Sequence, residues 1–138
     1  MENTILTEFL VDFRYNGDGI DPIYITEVLG IKATTIRIKG QVNEKHPPHK
    51  YPHNFWSLNS MIEKQRELPC HLIYLLDILS ACNEKIDKLY FEGYNPKFVC
   101  GIFPFIDNID ITINVNILRR ISDLHASLVM CYYKYEEE

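Results

Sequence analysis

The sequence predicts an α+β domain: a mainly antiparallel sheet with helices packed on one face, in the order β-α-β-β-α-β-β-α-β. Three observations predict it. Segments of period-2 alternation open and close the chain, helix-period segments with recognisable caps or starting prolines lie between them, and the connections are too short for a second core. At 138 residues the chain is expected to form one domain over 1–138, and 46% hydrophobic content suffices to bury a core without metal or disulfide.

The first strand is read from Phe9, Val11, Phe13 and Tyr15, which alternate with Leu10, Asp12 and Arg14 and so give one buried and one largely polar face. Asn16-Gly17-Asp18-Gly19 ends it. Asp21-Pro22 then supplies an N-cap and a first-turn proline, Ile25, Val28 and Leu29 share a helical face, and Gly30 stops the helix in the left-handed conformation. Thr34 to Gly40 alternates again and predicts the second strand. Gln41 to Asn54 holds Pro47, Pro48 and Pro52 and reads as a loop, followed by a short strand at Phe55 to Leu58 and an exposed charged stretch at Glu63 to Glu67.

Pro69 opens the main helix, where Leu68, Leu72, Leu75, Leu79 and Cys82 recur at steps of four and three and Leu76 widens the stripe. Ile73 and Ile78 lie off that stripe and leave open whether a neighbouring segment or another subunit covers them. Asn83 to Leu89 extends the helical region by about a turn, Lys97 to Phe103 reads as a strand ended by Pro104, and Ile111 to Asn114 as a further short strand. Asn114 caps a last helix with Leu118, Ile121 and Leu124 on one face, Ser127 to Tyr133 closes the sheet, and Glu136 to Glu138 forms an acidic tail. The first and last units share a strand-cap-helix-strand layout, as packing short amphipathic helices on strands would also give.

Composition narrows the function classes. A net charge of −5 disfavours general nucleic-acid binding and favours a basic partner. The longest apolar run, Leu72 to Leu76, is far short of a membrane span, and Met1-Glu2-Asn3-Thr4 lacks the features of a secretory signal. The mature protein is therefore expected to begin at Met1 and to be soluble and cytoplasmic. Cys70, Cys82, Cys100 and Cys131 lie apart with no C-x-x-C pair and read as reduced thiols.

Along its length the chain resembles the family known as domain of unknown function 4279. The resemblance is carried by the aromatic first strand Phe9 to Tyr15, Asp21-Pro22 with Ile25-Thr26 and Leu29-Gly30, Gly40, Trp56, the helix from His71-Leu72 to Leu75-Leu76, and the aromatic closing strand. It implies a small α+β domain of bacterial type and carries over no activity or site. Two features depart from it: His125 stands where a glycine is expected after the last helix, and the His/Pro loop looks particular to this chain.

Candidate chemistry is sparse. His46, His49 and His53 are ligand types for zinc, copper or nickel, but polyproline II geometry would space positions three apart by about 9 Å. A solvated loop with weak nickel or zinc affinity is expected, and no cofactor. Cys70 sits in the first turn of the main helix, where the dipole lowers a thiol pKa, yet His71 points about 100° away, so a small buried hydrophobe is the favoured reading. No phosphate-binding glycine motif occurs, and Asp12, Asp18 and Asp21 suit turns and a cap rather than a calcium loop.

Trp56, Tyr51, Tyr132, Tyr133 and Tyr135 are the candidate partner-binding residues, although most aromatics in a domain this size pack its core. These features point away from an enzyme and towards a protein-binding domain, for example an immunity- or antitoxin-like protein that neutralises a basic toxin. The alternatives are a small enzyme or ligand-binding domain using Cys70, His71 or the His-rich loop, and a homo-oligomeric module joined through an exposed sheet edge.

Overall fold

The computed structural model describes residues 6–106 and 108–134. Its elements are β1 (Glu8–Gly17), α1 (Pro22–Leu29), β2 (Thr35–Arg37), β3 (Asn54–Asn59), α2 (Leu68–Leu79), a 3₁₀ turn (Ser80–Cys82), α3 (Asn83–Phe91), β4 (Lys97–Phe103), α4 (Val115–Asp123) and β5 (Ser127–Tyr132). The fold is α+β. One five-stranded sheet has the order β2-β3-β1-β4-β5; the pairs β2–β3, β3–β1 and β1–β4 are antiparallel, and β4–β5 is parallel.

Alternation in β1 sorts the sheet into two faces. Phe9, Val11, Phe13 and Tyr15 point to the helices, and the register brings Leu58 and Trp56 of β3 and Phe98, Cys100 and Ile102 of β4 beside them. The α2 stripe closes over this layer: Leu68, Leu72, Leu75, Leu76 and Leu79 are all buried, and Cys82 continues the stripe through the 3₁₀ turn. Phe13 lies at the aromatic centre, with Tyr15, Trp56 and Phe98 at ring distances of 5.5, 6.3 and 5.1 Å. Ile73 and Ile78, off the stripe, are 39% and 36% exposed.

The caps form as their residue types dictate. Asp21 Oδ1 accepts from Ile23 N and Tyr24 N at 3.0 and 3.3 Å, and Gly30 closes α1 at φ 68°. Asn114 Oδ1 accepts from Ile117 N at 2.9 Å to start α4. His125, at the expected glycine position, does take the left-handed conformation, with φ 57°. Its ring stacks on Tyr90 at 4.1 Å and Nε2 meets Asp87 Oδ1 at 2.8 Å, contacts that a glycine could not make.

Four expectations are corrected. The second strand is confined to Thr35–Arg37, because only those residues reach the β3 ladder before the chain turns at Gly40. Ile111 to Asn114 is not a strand: Ile109, Ile111 and Ile113 alternate, but they pack on the core without a ladder partner. The turn expected after α2 is a separate helix, α3, offset by the 3₁₀ segment. In α4 the buried residues are Ile117 and Ile121, followed by Leu124, while Leu118 is 43% exposed. The tail at 136–138 lies outside the described residues.

The two strand-helix-strand units differ in topology. β4-α4-β5 joins adjacent parallel strands, whereas β1-α1-β2 leaves room for β3 between its strands. No helix among the described residues is long and apolar enough to cross a membrane.

Candidate functional site

The buried sides of the helices join one core with the Phe13 face of the sheet, and among the described residues no helix covers the other face. It is set by the even positions of β1, from Glu8 to Asn16, and by their register partners. β3 contributes Phe55, Ser57 and Asn59, β4 contributes Lys97, Val99, Gly101 and Phe103, and Val129 and Cys131 follow on β5. The composition is unusual for a solvated face. Leu10 is 48% exposed, and Phe103 stacks face to face on Tyr133 at 4.6 Å with 6° between the planes.

Charges on this face are ordered rather than loose. Arg14 donates through Nε and Nη2 to the two carboxylate oxygens of Asp12 at 2.7 and 2.6 Å, the parallel two-point geometry that guanidinium and carboxylate share. The hydrogen bond to Asp12 raises the Arg14 pKa beyond its ordinary value, against the opposing pull of burial. The same guanidinium lies 5.1 Å from the Phe55 ring, and Arg37 lies 4.9 Å from Phe55 and 5.6 Å from Tyr51. Phe55 is thus held against two cations. Arg14 has a carboxylate partner; Arg37, exposed, is held by aromatic rings.

Residues 59–64 curl over one end of this face, where Phe9 N–H donates to the Lys64 carbonyl at 2.9 Å and Ser60 N–H to that of Val11 at 2.8 Å. Between this loop and the strands lies a cleft of about 500 Å³, with Leu10, Asp12, Val99, Gly101, Phe103 and Met61 among its walls. Gly101 is its floor. A Cβ there would stand 3.3 Å from the Leu10 carbonyl oxygen and 3.4 and 3.5 Å from the Phe103 and Tyr133 rings, so glycine keeps the stack and the strand spacing compatible.

The loop is fastened to the core by His71. Its Nδ1 is 2.7 Å from Ser60 Oγ, its ring is 1% exposed, and Nε2 is buried without a hydrogen-bond partner. Burial pushes the His71 pKa below its ordinary value, partly offset by the backbone carbonyls of Arg66 and Lys64. Cys70, its neighbour, is half-buried and 3.7 Å from Arg66 Nη2. Cys100, on the buried side of β4, has its thiol pKa pushed up to about 12, chiefly by burial.

The histidine loop folds back rather than extending, with Asn43 N–H donating to the His49 carbonyl at 2.8 Å and His49 N–H to that of His46 at 2.9 Å. The polyproline spacing expected for it does not apply, since Pro47-Pro48 sits in a turn stabilised by these bonds. His46 and His49 are exposed, and His53 Nδ1 is 2.9 Å from Asp18 Oδ1. Among the described residues no three His, Cys, Asp or Glu side chains are grouped so as to hold a metal ion.

The candidate partner-binding aromatics divide. Trp56 is fully buried and donates from Nε1 to Thr26 Oγ1 at 2.9 Å, so it is a core residue, placed there by its β3 parity opposite Tyr15. Tyr51 and Tyr133 both border the open face through Arg37 and Phe103, and Tyr132 is 52% exposed on the edge strand. Tyr135 lies outside the described residues. Sequence reading missed Leu10, Phe55, Val99 and Phe103 as a second apolar set. The available signal was Asp12 and Arg14 two apart on a strand, hence on one face, with apolar residues at the matching parity of β4.

Fold and site together define a class: a helix-backed α+β sheet domain whose uncovered face carries an aromatic–guanidinium cluster beside a cleft. The chain belongs to the family described as Domain of unknown function (DUF4279), whose model matches residues 7–135. No curated protein and no solved structure matches it.

Proposed function

We propose that this is a non-enzymatic protein-binding domain that docks its partner on the open sheet face. The observation behind this reading is two ordered, half-exposed groups on the Leu10 side of the sheet, Arg37 with Phe55 and Tyr51 towards one end and Phe103 with Tyr133 towards the other. Aromatic and arginine side chains already held by stacking lose little freedom when a partner covers them, which is why such residues dominate binding energy elsewhere. The net charge of −5 favours encounter with a basic partner, as for an immunity-like inhibitor of a basic toxin, and such an encounter slows as salt screens it. The test is affinity capture from the host with the wild-type chain, Arg37→Glu and Tyr133→Ala. A partner held by the wild type and lost by both variants supports the reading; equal capture by all three sinks it.

A second reading, a small hydrolase, has one observation in its favour: Ser60 is among the residues lining the cleft, and its hydroxyl lies 2.7 Å from His71 Nδ1. Labelling of Ser60 by a sulfonyl fluoride, abolished in His71→Asn, would support that reading over the first.

A further inference from the structure

We propose that the hairpin following β2 is a docking site for an acidic peptide segment of a partner protein. Charge is segregated along the chain. Residues 35–53, from β2 to the start of β3, hold Arg37, Lys39, Lys45 and Lys50 against the single carboxylate of Glu44, so this stretch carries +3, and with −5 overall the remaining residues carry −8. The stretch closes as a hairpin: Gly40 N–H donates to the Tyr51 carbonyl at 3.0 Å, Tyr51 N–H to that of Gln41 at 2.9 Å, and Val42 pairs with Lys50. Residues 39–42 and 44–50 are exposed throughout. Asp18 takes up Lys39 at 3.0 Å. Among the described residues Arg37, Lys45 and Lys50 have no carboxylate partner, in contrast to Arg14, Lys88 and Arg120.

Unmatched cations on one hairpin and the strand that feeds it attract anionic groups through their summed local field. Arg37 is the most ordered of them, 4.9 Å from the Phe55 ring and 5.6 Å from the Tyr51 ring, and a guanidinium held in this way offers a carboxylate two parallel N–H bonds. Apolar surface lies beside the charge, with Ile36 38% and Val42 47% exposed, which suits a peptide whose carboxylates are interspersed with apolar side chains. A nucleic acid fits less well. Its charge recurs along the whole backbone, and past the hairpin it meets residues carrying −8, whose repulsion acts over a Debye length of about 8 Å at physiological ionic strength. A short acidic segment ends where the cations end. This site goes beyond docking on the open sheet face and takes the opposite charge, because long-range steering follows the net charge whereas docking follows the local field. Arg37 borders both surfaces; Lys45 and Lys50 belong to the hairpin alone.

Fluorescence anisotropy with a fluorescein-labelled peptide of Asp and Glu interspersed among Leu and Phe tests the site. The wild-type chain should bind it, more weakly as sodium chloride rises, and should bind the matching Asn and Gln peptide at least about tenfold less tightly. Lys45→Glu combined with Lys50→Glu should lose about tenfold or more in affinity for the acidic peptide. Arg119→Glu combined with Lys134→Glu changes the net charge equally at exposed positions outside the hairpin and should cost much less; circular dichroism checks that both variants fold. Absence of binding, equal affinity for the amide peptide, an equal loss in the two double variants, or tighter binding of labelled oligothymidine or of phosphatidylserine vesicles would each overturn the proposal. Tyr133→Ala should bind the acidic peptide as the wild type does, so this site and the proposed docking face can fail separately.

Discussion

Trp56 shows how residue chemistry and strand parity combine. As the chain's one tryptophan it could anchor a partner, but it stands on the helix side of β3, where its ring completes the aromatic core and its N–H needs the hydroxyl of Thr26. Trp56→Ala should therefore destabilise the fold by about 3–5 kcal/mol, read as a fall in the urea midpoint by circular dichroism, since the cavity forms inside a packed aromatic layer. His71 belongs to the same scale. Its folded-state pKa is depressed, so the unfolded chain binds the proton more readily, and stability is full above the unfolded value near 6.5 and declines as pH falls below it. Between pH 7.5 and 5.5 the decline should not exceed about 1.4 kcal/mol per pH unit, the limit for one proton, and His71→Leu should flatten it. A slope unchanged by that substitution would assign the acid sensitivity to other groups.

At the scale of elements, the caps and the sheet faces decide what each segment does. Asp21→Ala removes the acceptor for two N–H groups of α1 and should cost about 1 kcal/mol; Gly30→Ala, at φ 68°, should cost a similar amount through left-handed strain. Urea titration followed by Trp56 fluorescence measures both. Gly101→Val tests the open face as a unit. Its side chain would press on the Leu10 carbonyl and the Phe103–Tyr133 pair, so partner capture should fall more than stability does. A variant as unstable as Trp56→Ala would show instead that Gly101 serves the fold alone.

For the whole molecule, one helix layer covers one face of a five-stranded sheet, and among the described residues no helix covers the other. Much of the architecture was legible in the sequence. The β1 alternation, the Asp21 and Asn114 caps, Gly30 and the α2 leucine stripe each rest on interactions within a few residues, and each is where periodicity puts it. The extra strand at Ile111 to Asn114 was not distinguishable from packed coil, because alternation reports one buried side and not which element buries it.

Local chemistry along the chain determined the class, the helices, most strands and a core of Phe13, Tyr15 and the α2 leucines, since propensity, capping and burial period are short-range quantities. Tertiary structure alone decided that Trp56 is interior while Phe55 beside it meets two guanidiniums, that Ser60 and His71 meet, and that β5 is an edge. The physical reason is register: which strands pair, and with what offset, depends on contacts between residues far apart in sequence, and a shift of one position would exchange the two faces of the sheet.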